Sequence, residues 1–286
     1  MFVLHLQGLR PCIGIAPLPI WICKTCGAHS ALNSAPPPNC SICEDERQFV
    51  PEGGQEWIGR EELVSTHANE WSELEPNLIA IGVSPAIGIG QRALLVLTPH
   101  GNVLWDCTPV LDEKTRERIL ALGGIKAICL SHPHFYTGMV EWSEALDGVP
   151  ILLPEADLAH VQRPSEHIQP WRGDRRDVLP GVVLHRLGGH FEGSSVLEWQ
   201  AGADGNGALL VGDTIQVVPA RGWVSFMYSF PNLIPLPARE VRRIANRVAD
   251  IRFDRIYGAW SDKFIASKAK DSVARSAERY IRLLES

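Results

Sequence analysis

Three apolar, strand-like runs of this 286-residue sequence lead directly to histidine or aspartate residues, whose side chains are common metal ligands. The run 125–130 (IKAICL) leads to His132 and His134, the run 181–187 (GVVLHRL) to His190, and the run 207–211 (GALLV) to Asp213. Because alternate residues of an extended segment point to the same side, His132 and His134 can reach one ion. A carboxylate at a buried strand end needs a partner, and a metal ion is a good one. The runs therefore predict strand ends gathered around a metal.

Four of the seven cysteines form two Cys-x-x-Cys pairs, Cys23 with Cys26 and Cys40 with Cys43, separated by 13 residues. Two tight turns of this kind present four sulfurs to one point, as tetrahedral zinc or iron requires. We predict zinc in a structural role, because four thiolates leave no open position for a substrate. An odd cysteine count with such pairs favours a reducing compartment, so we expect a cytoplasmic protein.

The cysteine segment resembles the short rubredoxin-like module of rubrerythrins in its pattern W-x-C-x-x-C-G, followed by A-P and a second C-x-x-C. Such modules bind iron, so the resemblance implies iron as the alternative metal and a redox role as the alternative function. The proline that usually follows the third cysteine is Ser41 here, which favours zinc.

Strand-like and helix-like patterns alternate from residue 77 onward. Apolar β-type runs occur at 77–83, 92–97, 101–106, 125–130, 181–187, 194–199, 207–212 and 253–258. Helical patterns occupy 111–124, with Asp112 as N-cap and Gly123 as stop, and also 237–250 and 267–285. Strand pairs precede helices in each half, which predicts an α/β fold with sheets packed face to face and helices outside.

The chain is expected to divide into four segments. They are an N-terminal tail at 1–20, a four-cysteine zinc-ribbon or rubredoxin-like module at 21–48, an irregular polar connector at 49–76, and one large domain at 77–286. The module is poor in large apolar side chains and cannot build a core, so a metal is expected to hold it together.

The large domain resembles the metallo-β-lactamase superfamily through the ordered set NVLWDC, SHPHFYTG, GGHFEGSSVL and LLVGD. The resemblance implies a four-layer αββα sandwich with metals in a cleft between two β-sheets. The family signature is His-x-His-x-Asp-His, followed by a later histidine, an aspartate and a final histidine. Asp106 matches a strand-end acid of the family that is usually structural.

Matched position by position, the resemblance implies one metal site rather than two. His132, His134 and His190 match the histidines of the first site, and Asp213 matches the acid that normally bridges both metals. The second site loses three of its usual ligands: Tyr136 and Thr137 replace an aspartate and a histidine, and Trp260 lies near the expected final histidine.

A one-metal site of this kind predicts hydrolysis. Three neutral imidazoles leave Zn²⁺ one open position, where a bound water has a pKa of about 7. Asp213 is expected to complete the coordination or to hydrogen-bond that water. Tyr136 is a candidate catalytic residue, ionising beside the metal or donating to an oxyanion, or else an aromatic that fills the vacated site. Glu192 is a further candidate base, and Fe(II) or Mn(II) would also suit these ligands.

Charge and hydropathy exclude some partners. The net charge of -6 and the absence of Lys/Arg clusters argue against nucleic acid, and no apolar run is long enough to span a membrane. We expect a small-molecule substrate, and the sequence leaves a homodimer open.

Several other residues are weaker site candidates. The aromatic loop 221–237 is either a wall of the cleft or a well-packed loop pinned by prolines. Surface or turn positions are expected for His100, His160, His167 and His185, and no base pattern adjoins Ser194 or Ser195.

Three hypotheses follow. The first is a mononuclear metallo-hydrolase of an ester, lactone or thioester. The second is an iron-dependent oxidoreductase, since the superfamily includes iron-dependent dioxygenases, with the cysteine module as electron entry. The third is a non-catalytic metal-binding protein of the same fold. The retention of all three first-site histidines argues against this third hypothesis.

Overall fold

The computed structural model describes residues 19–286, so nearly all of the predicted N-terminal tail lies outside the described residues. Two large β-sheets form the centre of the molecule. A small ribbon precedes them, made of β1 (Trp21–Cys23) and β2 (Trp57–Gly59), which pair antiparallel. The cysteine segment therefore pairs with a strand of the predicted connector.

The first large sheet has seven strands in chain order. They are β3 (Ala68–Glu75), β4 (Leu78–Ser84), β5 (Ala93–Val96), β6 (Val103–Trp105), β7 (Ala127–Cys129), β8 (Ile151–Pro154) and β9 (Ile168–Trp171). Strands β3 to β6 are antiparallel, and β6 to β9 are parallel.

The second large sheet has six strands in the order β10-β11-β12-β13-β18-β19. They are β10 (Arg175–Leu179), β11 (Val182–Arg186), β12 (Ser195–Trp199), β13 (Ala208–Leu210), β18 (Arg255–Tyr257) and β19 (Phe264–Ile265). Four short strands lie between β13 and β18: β14 (Gln216–Val217), β15 (Val224–Ser225), β16 (Met227–Ser229) and β17 (Ile234–Pro235).

Six α-helices accompany the strands in the described part of the chain. They are α1 (Ser41–Glu44), α2 (Arg60–Thr66), α3 (Glu113–Ala121), α4 (Met139–Ala145), α5 (Ala238–Ala249) and α6 (Ala269–Leu284). Short 3₁₀ turns cover Pro133–Phe135 and Glu155–His160. The side chain of Asp112 accepts a hydrogen bond from the Thr115 amide, which confirms the predicted N-cap of α3.

Alternating side chains of the two large sheets contribute to three cores. In β5, Leu94 faces the core between the two sheets, while Leu95 faces the core beneath α3 and α4. In β13, Leu210 faces the core between the sheets, while Leu209 faces α5 and α6. Because each sheet buries both faces, the layers run helix, sheet, sheet, helix, and the predicted four-layer αββα sandwich is confirmed.

Two local expectations are wrong. The stretch expected to be an irregular connector contains β2, α2 and β3. Strand β3 was missed because it is an edge strand, and its exposed positions carry polar side chains such as Glu70 and Glu73. His132 and His134 do not lie in one extended segment, since a 3₁₀ turn begins at Pro133. No helix among residues 19–286 has both the length and the apolar character needed to cross a bilayer.

Candidate metal centre

His132 is fixed by residues at the ends of two neighbouring strands. Its Nδ1 lies 2.8 Å from Oγ of Ser131, and the Ser131 amide donates to Oδ1 of Asp106 at 2.8 Å. Asp106 follows β6 with a φ of 59°, and burial raises the pKa of its carboxyl to about 7. With Nδ1 held by Ser131, Nε2 of His132 is buried and has no partner among the described residues.

His134 reaches the same point through the 3₁₀ turn. The amide of Phe135 donates to the carbonyl of His132 at 3.0 Å and closes this turn. Proline favours the first position of such a turn because its φ is preset and it has no amide to satisfy. The turn places the rings of His132 and His134 with centroids 5.0 Å apart.

His190 comes from the glycine-rich turn between β11 and β12. Its Nδ1 lies 3.2 Å from the carbonyl oxygen of Met227. Since a carbonyl only accepts hydrogen bonds, Nδ1 carries the proton and Nε2 keeps its lone pair. That Nε2 lies 3.2 Å from Nδ1 of His134.

Asp213 follows β13 and brings its carboxylate to the same cluster. Its Oδ2 lies 3.5 Å from Nε2 of His132 and 3.9 Å from Nε2 of His190, while Oδ1 is buried and has no hydrogen-bond partner within residues 19–286. Gly212 permits this approach: its φ is 51°, and a Cβ there would meet Oγ of Ser131 at 2.7 Å.

These four side chains form a buried group that fits a divalent metal. Ligand atoms of His132, His134, His190 and Asp213 all lie within 4.8 Å of one another, and each residue is at most 5% exposed. Burial lowers the pKa of His190 to about 4 and that of His134 well below its usual value, so both rings are neutral near pH 7. Neutral imidazoles beside a carboxylate are the donor set that Zn²⁺ takes in catalytic sites.

Aromatic side chains enclose this histidine cluster. The ring of Phe191 lies 4.9 Å from His134 and 5.1 Å from His190 between centroids. Phe135 packs on His132 at 4.4 Å, and Phe230 lies 5.9 Å from His190. The low polarity of these walls strengthens electrostatic interactions inside the site.

None of the three positions that would serve a second metal holds an aspartate or a histidine, and two of the side chains there hydrogen-bond elsewhere. Thr137 donates its hydroxyl to the carbonyl of Cys107 at 3.1 Å, and Trp260 donates its indole N–H to the carbonyl of Ile89 at 2.9 Å. Tyr136 packs in the core beneath α3 and α4, where its hydroxyl has no partner among the described residues. Burial raises the pKa of Tyr136, which opposes the easier ionisation expected from sequence.

Glu192 lies outside the cluster. Its side chain is exposed and borders a surface cavity that also contains Arg239 and Arg243, so the structure does not bring this candidate base to the histidines. Neither metal-binding group of residues 19–286 includes His100, His160, His167 or His185. Ser194, in the turn after His190, and Ser195, the first residue of β12, are both buried, and Ser194 Oγ accepts from the Phe191 amide at 2.8 Å.

The aromatic loop 221–237 forms part of the wall of the histidine cluster. The Met227 carbonyl accepts from His190, and Phe230 packs on the same ring. Ser229 and Asn232 of this loop also hydrogen-bond residues 46–48. The loop thus contacts both the histidine cluster and the cysteine segment.

The four predicted cysteines converge on one point. Sγ atoms of Cys23 and Cys43 lie 3.6 Å apart, as do those of Cys26 and Cys40, and all four sulfurs lie within 4.8 Å of one another. These separations are far longer than a disulfide bond of about 2.05 Å. They approach the spacing of about 3.8 Å that four Zn–S bonds of about 2.3 Å give in a tetrahedron. The arrangement fits a four-thiolate metal site.

Two residues that sequence patterns did not indicate reach the histidine cluster from the cysteine segment. Nε of Arg47 donates to the His190 carbonyl at 2.6 Å. Nε2 of Gln48 lies 3.4 Å from Nδ1 of His134. Neither residue lies in a motif, and 86 positions separate Gln48 from His134, so only the tertiary fold reveals these contacts.

Comparison with known proteins identifies one close relative by sequence. The chain is 48% identical over 271 residues to the Bacillus subtilis (strain 168) protein YmaE, described as uncharacterized. The alignment covers 94% of this chain and 98% of YmaE. No family model matches the sequence.

Solved structures similar to this chain include several metallo-β-lactamases. VMB-1 superposes with a TM-score of 0.54 at 12% identity, over 75% of this chain and 97% of its own. A B3 metallo-β-lactamase with an active-site glutamic acid has a TM-score of 0.51 and a sequence identity of 15%, and the superposition covers 77% of this chain and 89% of that protein. A Cronobacter sakazakii metallo-β-lactamase mutant has a TM-score of 0.50 and a sequence identity of 18%, and the superposition covers 75% of this chain and 94% of the mutant. At these identities the likeness concerns the fold.

Proposed function

Because this chain belongs to the same family as B. subtilis YmaE and has the metallo-β-lactamase fold, we propose that it is a metal-dependent hydrolase. The substrate would be a small molecule with an ester, lactone or thioester bond, cleaved at a mononuclear site. One observation carries the proposal: three imidazoles and one carboxylate converge in a buried position, where no residue of the described part of the chain hydrogen-bonds His132 Nε2 or Asp213 Oδ1. Buried polar atoms without partners are costly, and a metal ion with its water would satisfy both.

The residues that would hold the metal are the three histidines and Asp213. His132 and His190 would each offer Nε2, because their Nδ1 atoms are engaged with Ser131 and Met227. A bound zinc ion would supply a water nucleophile at neutral pH and polarise the substrate carbonyl. The same donors also suit Fe(II) and Mn(II), and zinc is our first choice.

We propose that Asp213 transfers a proton from the attacking water to the leaving group. Its unpartnered Oδ1 would accept a proton from the attacking water as the new oxygen–carbon bond forms at the carbonyl. The same carboxyl would then protonate the departing alcohol or thiol when the bond to it breaks. The products are a carboxylic acid and an alcohol or thiol, and Asp213 ends in its starting state.

An iron-dependent oxidoreductase is the alternative function. The cysteine cluster favours it, because the segment that follows Cys43 runs directly to the histidines and would give electrons a short path. In the hydrolase hypothesis the same cluster has a structural role. Iron with a visible thiolate absorption band in the purified protein would favour the oxidoreductase.

His134→Ala tests the hydrolase directly, with His100→Ala as a matched control at an exposed position. We expect the wild type and His100→Ala to hydrolyse one class within a panel of esters, lactones and thioesters, and His134→Ala to lose that turnover. Unchanged turnover in His134→Ala would refute the mechanism. Reconstitution with zinc, iron(II) or manganese(II) would identify the metal.

A further inference from the structure

The segment 45–48, which follows the cysteine-bearing helix α1, is fastened to the wall of the histidine cluster. Nδ2 of Asn232 donates to the carbonyls of Glu46 and Gln48 at 3.1 and 2.9 Å. Oγ of Ser229 donates to the carbonyl of Arg47, between them, at 3.0 Å. Three consecutive carbonyls are therefore held by the loop that also contacts His190.

Arg47 attaches the same segment to the turn that carries His190. Its guanidinium donates to both carboxylate oxygens of Asp45 at 2.9 Å and to the His190 carbonyl at 2.6 Å. It also stacks over the rings of Phe191 and Tyr228, each 4.4 Å away. A planar cation between two aromatic faces is well ordered, so the position of the next residue is fixed.

That next residue, Gln48, is aimed at the histidine cluster. It is 6% exposed, and its Nε2 lies 3.4 Å from Nδ1 of His134. Its Oε1 is buried without a partner among the described residues, as is Oδ1 of Asp213. Buried amide oxygens are nearly always hydrogen-bonded, so an unpaired one at the edge of a site points to a ligand.

We propose that Gln48 is a catalytic residue of the histidine site, supplied by the cysteine segment; this inference rests on the proposed hydrolase function. The attacking water has two O–H bonds, and the site offers two acceptors that no side chain or backbone group of residues 19–286 occupies, Oε1 of Gln48 and Oδ1 of Asp213. Gln48 holds one proton of this water, and Asp213 accepts the other as the bond to the substrate carbon forms. Orienting both O–H bonds would leave the oxygen lone pairs of the water free to attack the carbonyl.

This role would replace that of the aspartate which the metallo-β-lactamase signature has at the position of Tyr136. Tyr136 is buried in the neighbouring core, so it does not present an acceptor to the water. Gln48 supplies one from a different part of the chain. The cysteine cluster then has a defined contribution to chemistry, because α1 ends at Glu44, one residue before the segment that delivers Gln48.

An anion-binding measurement tests this placement without relying on turnover. The full-length protein would carry zinc at the cysteines and Co(II) at the histidines, and azide binding would be followed through the visible Co(II) bands. Gln48→Glu adds a carboxylate beside the azide, so we expect at least about a tenfold loss of azide affinity. Gln169→Glu is the matched control, because it makes the same change of charge at an exposed position on β9.

A second variant separates this role from packing. Gln48→Met keeps the length of the side chain but removes the acceptor, so we expect kcat to fall about tenfold or more with little change in KM. Azide affinity in Gln48→Glu equal to that of the wild type would overturn the inference, as would unchanged kcat in Gln48→Met. A wild type whose histidine cluster takes up no Co(II) would instead overturn the proposed function itself.

Discussion

Oγ of Ser131 lies 2.8 Å from Nδ1 of His132. This contact fixes the ring and leaves Nε2 directed at Asp213, 3.5 Å from its Oδ2. Partners of this kind set both the tautomer and the orientation of a metal-binding histidine. The first ligand of the proposed site is therefore prepared by its own neighbour in sequence.

Ser131→Ala should weaken metal binding at the histidines while leaving the fold intact. Loss of such a partner typically costs about 10–100-fold in metal affinity. The measurement is zinc competition against a chromophoric chelator, with Ser65→Ala in the exposed part of α2 as control. Equal zinc affinity in Ser131→Ala and the control would show that the hydroxyl does not orient the ring.

Asp106→Ala should destabilise the protein more than Asp106→Asn. Alanine leaves the buried Ser131 amide unpaired, at a cost of about 1–3 kcal/mol. Asparagine retains an acceptor oxygen and tolerates the positive φ at this position. Chemical denaturation would give both free energies of unfolding, and equal losses would show that the acceptor is unimportant.

Tyr136→Phe should leave turnover unchanged and should not reduce the free energy of unfolding. The substitution removes a buried hydroxyl that has no partner among residues 19–286, and the ring that packs in the core remains. Activity measurements and denaturation on the same preparation would check both statements. A large fall in kcat would instead give Tyr136 the catalytic role expected from its place in the signature.

The side chains of the histidine cluster could be anticipated because each directly follows a strand-like run or its turn. His190 and Asp213 are positioned by the ends of β11 and β13, and short-range patterns locate such ends. The geometry of the His132–His134 pair was harder to predict, because the 3₁₀ turn at Pro133 replaces the extended backbone. The contribution of Gln48 was missed because it depends on packing between distant segments.

Cys26→Ser should release the metal of the cysteine cluster and loosen the segment 45–48. A closed thiolate site stabilises a small module that lacks a core of its own, so we expect a lower unfolding temperature and weaker metal binding at the histidines. Cys129→Ser alters a buried thiol outside both metal groups and should keep the metal content of the wild type. An unchanged metal content in Cys26→Ser would contradict a four-thiolate site.

The central claim is that the histidines and Asp213 hold one metal ion of their own, and elemental analysis of protein purified without added metal tests it most directly. We predict about two metal ions per chain in the wild type and about one in His132→Ala, since each cluster has the ligands for one ion. About one ion per chain in both proteins, lost only when the cysteines are changed, would contradict the account.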